Sequence, residues 1–128
     1  MENNKIKSIL CGLSEQERVK IEDFLLSEID DENLQETIDF INSDNETKIK
    51  EYKDILYEGD QYEGVFLEGN QYLLSNTESK VLIIDVLSEE HGVDKSNTRV
   101  QLNRENFIDL IKNRKEVIDC IRNMHQQK

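Results

Sequence analysis

Val81-Leu82-Ile83-Ile84-Asp85-Val86-Leu87 is the longest nearly unbroken apolar run in the chain. It is rich in β-branched residues and far too short to span a membrane, so it reads as a buried strand. Six of its seven side chains are apolar, which implies cover on both faces. The run is therefore expected at the middle of a small sheet, with helices before and after it supplying that cover.

Working outward, Tyr62 to Glu68 reads as a strand, and Gln71 to Ser75 as its return. Gly69-Asn70 between them has glycine first, the order a type II′ hairpin turn prefers. Asn76-Thr77-Glu78-Ser79 is the next turn. Beyond the central strand lies a polar loop, Glu89 to Ser96. Thr98 to Leu102 then forms a fourth strand, with Val100 and Leu102 inward and Arg99 and Gln101 outward. The simplest topology is a four-stranded antiparallel meander. Asn103 caps one long final helix whose stripe is Phe107, Leu110, Ile111, Val117, Ile118, Ile121 and Met124. That helix is expected on the sheet face of Leu82, Ile84 and Val86.

The residues before the sheet have helical period. Ile6, Ile9, Leu10 and Leu13 follow i, i+3, i+4, i+7 up to Gly12. Ser14-Glu15-Gln16-Glu17 is a capping box, opening a helix to about Ile29 with Ile21, Phe24, Leu25 and Glu28/Ile29 on one side. Asp30-Asp31 breaks it. Leu34, Ile38 and Ile41 mark a third helix, and Asn42 to Asn45 a turn. Ser43 with Glu46 suggests a second capping box, and Ile49, Tyr52, Ile55 and Leu56 a fourth helix ending near Gly59. The class is α+β: a helical N-terminal part, a small antiparallel sheet, and a C-terminal amphipathic helix on it. Residues 1–128 read as one domain, with a soft boundary near residue 59.

The charge is uneven. The net charge is −12. Residues 28–63 hold 13 acidic and 3 basic side chains, a net of −10, whereas residues 65–128 hold 10 and 9, a net of −1. Such a field repels nucleic acid and anionic lipid and steers basic proteins inward.

Catalytic and ligand signatures are missing. The five glycines are scattered and make no phosphate loop. There is no HExxH, CxxC or EF-hand spacing. Cys11 and Cys120 sit beside apolar helix positions and read as buried, reduced thiols. With no long apolar leader run, the expectation is a cytoplasmic protein. Cys120 and His125 are five residues apart, about 140° around a helix, and do not face each other. His125 is expected to be solvated. His91 with Glu89, Glu90 and Asp94 is the one grouping with metal-ligand chemistry, and it also reads as a plain polar loop. No cofactor and no metal are expected.

The acidic segment is the feature that departs from a surface chosen for stability. Glu28, Glu32, Glu36 and Asp39 stand at i, i+4, i+8 and i+11, near one face if the helices join. Asp31, Glu46, Glu51, Asp54, Glu58 and Asp60 extend the set. Like charges at i, i+4 cost a helix about 0.2–0.5 kcal/mol per pair. Tyr57, with Tyr52 and Tyr62, offers aromatic anchors among them. The expected function is a non-enzymatic acidic protein that docks on a basic, nucleic-acid-processing protein, with no direct contact to nucleic acid or membrane. Two roles share this physics: a nucleic-acid-mimic inhibitor of the phage-borne, anti-CRISPR-like kind, and an immunity protein that plugs a basic nuclease toxin. The alternative is a regulatory or scaffold module, free to form a homodimer, in which acidity serves solubility alone.

Overall fold

The computed structural model of the chain describes residues 2–43, 50–54, 59–63, 66–77, 80–94 and 97–126. Its class is α+β, with helices at both ends of the chain and a four-stranded antiparallel meander between them.

Local signals set the first two helices. α1 (Glu2–Cys11) ends just before Gly12. The capping box of α2 (Glu15–Glu28) is formed: Glu17 N donates to Ser14 Oγ at 3.1 Å, and Ser14 N to Glu17 Oε1 at 2.9 Å. Arg18 Nη1 donates to the carbonyls of Leu10 (3.1 Å) and Leu13 (2.6 Å), closing the otherwise open carbonyl end of α1. Arg18 Nε also donates to His125 Nε2 at 3.5 Å. His125 is thus half-buried against α2 rather than solvated.

α2 and α3 (Leu34–Asn42) do not join. Asp30 Oδ1 accepts from the amides of Glu32 and Asn33 at 2.9 and 2.8 Å. Asn33 in turn donates through Nδ2 to Glu28 O at 2.8 Å and accepts from Asp30 N. This side-chain-to-backbone turn outcompetes helix continuation, as short Asp and Asn side chains do.

The fourth helix is not observed. Lys50–Asp54 (β1) pairs instead with Gly59–Glu63 (β2) as an antiparallel two-stranded sheet. The register sets Lys50 opposite Glu63 and Lys53 opposite Asp60. Gly59 begins β2 in register with Asp54. Glu46 of the expected Ser43–Glu46 capping box, with Ile49, Ile55 and Leu56, lies outside the described residues.

In the larger sheet the order is β3 (Leu67–Glu68), β4 (Tyr72–Thr77), β5 (Lys80–Asp85) and β6 (Arg99–Asn103), each antiparallel to the next. The hairpin turn is one residue later than expected. Gly69 N donates to Tyr72 O at 2.8 Å, so Asn70 and Gln71 are the central pair. Asn76 and Thr77, expected in the next turn, belong to β4.

β5 stops at Asp85. Val86 and Leu87 are not strand residues but open α4 (Val86–Glu90), because Asp85 acts as its N-cap and accepts from Ser88 N at 3.1 Å. Gly92 ends α4 at φ 85°. Gly92 N donates to Glu89 O and Val93 N to Ser88 O, both at 3.0 Å. This is the Schellman pattern, for which glycine is the least strained residue.

The C-terminal helix is two helices. α5 (Arg104–Lys112) is capped by Asn103, whose side chain accepts from Asn106 N at 2.9 Å. Asn113 then breaks the rod, and α6 (Arg114–Gln126) follows. α5 lies against β5 and β6, whereas α6 packs on α2 and α1.

The face of β5 that meets the helices is Val81 and Ile83, not Leu82 and Ile84. Val81, Ile83, Tyr72, Leu74, Val100 and Leu102 share one core with Ile21, Phe24, Phe107, Leu110, Ile111, Val117, Ile118 and Ile121. The opposite face is apolar too, since Leu73 and Ile84 are buried cross-strand partners there. A strand apolar on both sides carries no phase information, and one residue of shift exchanges its faces. Val100 and Leu102 point inward and Gln101 outward as expected, whereas Arg99 is half-buried and turns to the buried Glu89 carboxylate. Phe24 fixes the centre, edge-on to Tyr72 and to Phe107 with both ring centroids at 5.7 Å. Each such aromatic pair adds about 0.5–1.5 kcal/mol beyond area burial.

Candidate functional site

α2 presents a line of polar side chains to the hairpin and to α4. Lys20 Nζ meets Asp85 Oδ2 at 2.5 Å, with Asp85 fully buried and Lys20 one-fifth exposed. Three residues on, Tyr72 Oη donates to Asp23 Oδ2 at 2.7 Å. At the helix end, the Glu28 carboxylate takes two backbone donors from the hairpin turn: Asn70 N on Oε2 at 2.9 Å and Gln71 N on Oε1 at 3.0 Å. Gly69 lies against this clamp. A Cβ there would stand 1.6 Å from Glu28 Oε2, and the backbone at Gly69 is not left-handed.

Asp85 is the hub of this seam. Besides Lys20 it accepts from Ser88 Oγ at 2.7 Å and Gln71 Nε2 at 3.1 Å. Burial pushes its carboxyl upward, but the Lys20 ammonium, the Ser88 hydroxyl and the Gln71 amide outweigh that and hold it below the usual carboxylate range. Burial, then the bond to Asp23, pushes the Tyr72 phenol well above its ordinary value, so it stays a neutral donor.

Glu89 closes the other end of α4. Its carboxylate receives the Arg99 fork, Nε at 2.9 Å and Nη2 at 3.0 Å, and the Thr98 hydroxyl at 2.5 Å. It is buried, while Glu90, His91 and Asp94 are exposed. The four therefore do not converge as a ligand set. Among the described residues no three His, Cys, Asp or Glu side chains stand close enough to hold a metal. Both cysteines are free thiols, and Cys11 is exposed rather than buried.

The residues of the acidic stripe divide. Glu28 is half-buried and committed to the hairpin. Asp31 reaches outward with its side chain 93% exposed and meets Arg114, whose guanidinium holds the Asp31 carboxyl below its ordinary range. Glu32, Glu36 and Asp39 are exposed. Asp39 accepts only the neutral Gln35 amide at 2.8 Å, and no ion pair to a described residue reaches Glu32 or Glu36. The turn between the helices breaks the single i, i+4, i+8, i+11 face. What remains is an acidic corner at the start of α3. Glu51 and Asp54 are on β1 and Asp60 on β2, a strand ribbon rather than a helix. Tyr57 and Glu58 lie outside the described residues.

Beside the corner, a cleft of about 350 Å³ opens between α2, α3 and the β3–β4 hairpin. Phe24, Tyr72 and Leu74 form its inner wall, and Glu28, Glu36 and Glu68 its acidic lining. Among the described residues no lysine or arginine lines it. Sequence reasoning missed Glu68 and Asp85, and read Glu89 only as a member of the loop grouping with His91, whereas its partners are Arg99 and Thr98. The one local signal was Asp85 interrupting an apolar run three residues before Ser88.

In comparisons with protein-family models, curated proteins and solved structures, the chain matches none.

Proposed function

We propose that this protein is a non-enzymatic acidic binding protein that docks on a basic surface of a nucleic-acid-processing protein. It would act there as a nucleic-acid-mimic inhibitor or as an immunity protein. The observation that carries the reading is the unspent acid of the α3 corner. Glu32, Glu36 and Asp39 are exposed and lack ion-pair partners among the described residues, in a chain whose net charge is −12. Stability does not need them there. A field of one sign raises association rates with an oppositely charged partner and fades with added salt.

A second reading draws on α2. Val19 and Leu26 are 48% and 56% exposed and lie seven residues apart, hence on one helix face. That apolar pair suits a scaffold contact in which acidity is only solvation.

One experiment separates the two. The tagged protein is used to capture partners from lysate at low salt, eluted with a rising salt gradient, and challenged with DNA and RNA. Its Glu32→Lys/Glu36→Lys/Asp39→Lys variant is run beside it. The acidic reading expects steep release by salt, competition by nucleic acid, and loss of capture by the variant. Partners held equally by both proteins at high salt would sink it and favour Val19 and Leu26. Glu28 is left untouched, because reversing it would break the hairpin clamp.

A further inference from the structure

We infer that the cleft between α2, α3 and the β3–β4 hairpin receives an arginine side chain of the basic partner. The inference rests on the acidic-docking reading and names where its anchor goes.

Two independent features of the cleft select that chemistry. The first is charge. Glu28, Glu36 and Glu68 line it and none of the described lining residues is basic, so a cation is favoured and a phosphate repelled. Glu28 already holds the Asn70 and Gln71 amides, which leaves Glu36 and Glu68 as the free acceptors. Both are exposed, and neither has an ion pair among the described residues. The second feature is the wall. Ile29, Leu67 and Leu74, with the edges of Phe24 and Tyr72, make the inner side apolar. A hydrated metal ion gains nothing from such a wall. An amphipathic side chain does, because it lays its methylene stem on apolar surface and keeps its charged head at the polar rim. Arginine fits better than lysine: its guanidinium is flat, weakly hydrated and forked for carboxylates. The volume, about 350 Å³, is at the low end of the ~300–1,000 Å³ of small-molecule pockets and suits one side chain.

The anchor and the corner adjoin, since Glu36 belongs to both. Steering by Glu32, Glu36 and Asp39 would deliver a basic surface to the place where one arginine can be desolvated. A buried arginine surrounded by near-neutral contacts is the common composition of a binding hot spot.

The test titrates N-acetyl-arginine amide into the 15N-labelled protein at low salt, followed by amide shifts. N-acetyl-citrulline amide is the neutral control of the same shape. The expected result is saturable shifts at Asn33, Thr37, Gly69 and Asn70 with arginine and none with citrulline. A Glu36→Gln/Glu68→Gln variant should bind about fivefold more weakly, the weight of two partly exposed ion pairs. Both positions are exposed, and folding of the variant is checked by its unchanged amide dispersion. Shifts spread over the acidic surface, equal shifts with citrulline, or undiminished binding by the variant would each overturn the cleft as an arginine site. That failure is distinguishable from failure of the docking reading. If the lysine variant of the α3 corner still loses its salt-sensitive partner, the cleft alone is wrong.

Discussion

The carboxylates of the α2–α4 seam and those of the α3 corner are the same chemical groups put to opposite uses. In the seam, Asp23, Glu28, Asp85 and Glu89 each meet a donor from another element, up to 65 residues away in the chain. At the corner, Glu32, Glu36 and Asp39 meet water or a neutral amide of their own helix. The difference teaches that acidity in this chain is two properties. One part pins the hairpin and α4 to α2, and its removal should unfold the protein. The other part projects a field, and its removal should leave the fold alone.

The strongest way to break that contrast is at Asp85. Removing one partner of a buried pair leaves the rest of the network uncompensated, which costs about 3–5 kcal/mol. Lys20 is one-fifth exposed and can turn to water, so Asp85→Ala is expected near the low end, about 3 kcal/mol. Urea unfolding read as a shift in midpoint at constant slope measures it. A loss under about 1 kcal/mol would mean the seam is not structural.

Next in size is the clamp at Gly69. Gly69→Ala drives Glu28 off the turn, because a Cβ there would overlap the end of the Glu28 side chain. Two charge-assisted bonds to backbone amides are lost, and the expected cost is about 2 kcal/mol. The informative version is a double-mutant cycle. In a Glu28→Ala background the same Gly69→Ala change should cost well under 1 kcal/mol, because the collision is gone. Equal costs in both backgrounds would show that the turn itself, and not the carboxylate, requires glycine.

A third effect is acid sensitivity. Asp85 has a carboxyl held below its ordinary value of 3.8 in the folded chain. The unfolded state therefore takes up its proton first as pH falls. The stability Asp85 contributes is complete above about pH 5 and is lost as pH drops through 4 toward its folded value. In Asp85→Asn that part of the acid dependence should vanish, leaving a shallower decline by about one proton in linkage slope. Parallel pH profiles for the two proteins would remove Asp85 as the cause.

The seam explains how far the sequence could be read. Contacts within four residues were legible: the Ser14–Glu17 capping box, the Asn103 cap, the stripes of α1 and α3, and the order of the meander strands. Asp30-Asp31 was legible as a break. Longer-range physics was not. Glu28 looked like one more surface acid because its amide partners are 42 and 43 residues away. The face of β5 could not be assigned because Leu82 and Ile84 are as apolar as Val81 and Ile83. Tyr52 fitted a helical stripe, but residues 50–54 pair as a strand with a second strand close by at Gly59–Glu63. Asn113 splits the last helix although Ile111 and Ile118, seven residues apart, keep the apolar period across it. Each miss is a case where a tertiary partner overrode a local pattern.

The smallest expected stability effect is also the one that decides whether the contrast has meaning. The Glu32→Lys/Glu36→Lys/Asp39→Lys variant alters three exposed side chains that meet no charged partner among the described residues. Substitutions of that kind stay within about 0.5 kcal/mol, and relief of like-charge repulsion on a chain of net charge −12 pushes the sign toward stabilisation. The variant should therefore unfold at or slightly above the wild-type urea midpoint. If it is markedly destabilised, the corner is part of the fold and its acids are structural after all. If it is as stable as expected yet still captures the same partners at the same salt, the corner is solvation. Only unchanged stability with lost capture keeps both halves of the comparison, because only then do residues that the fold does not need turn out to be residues that binding does.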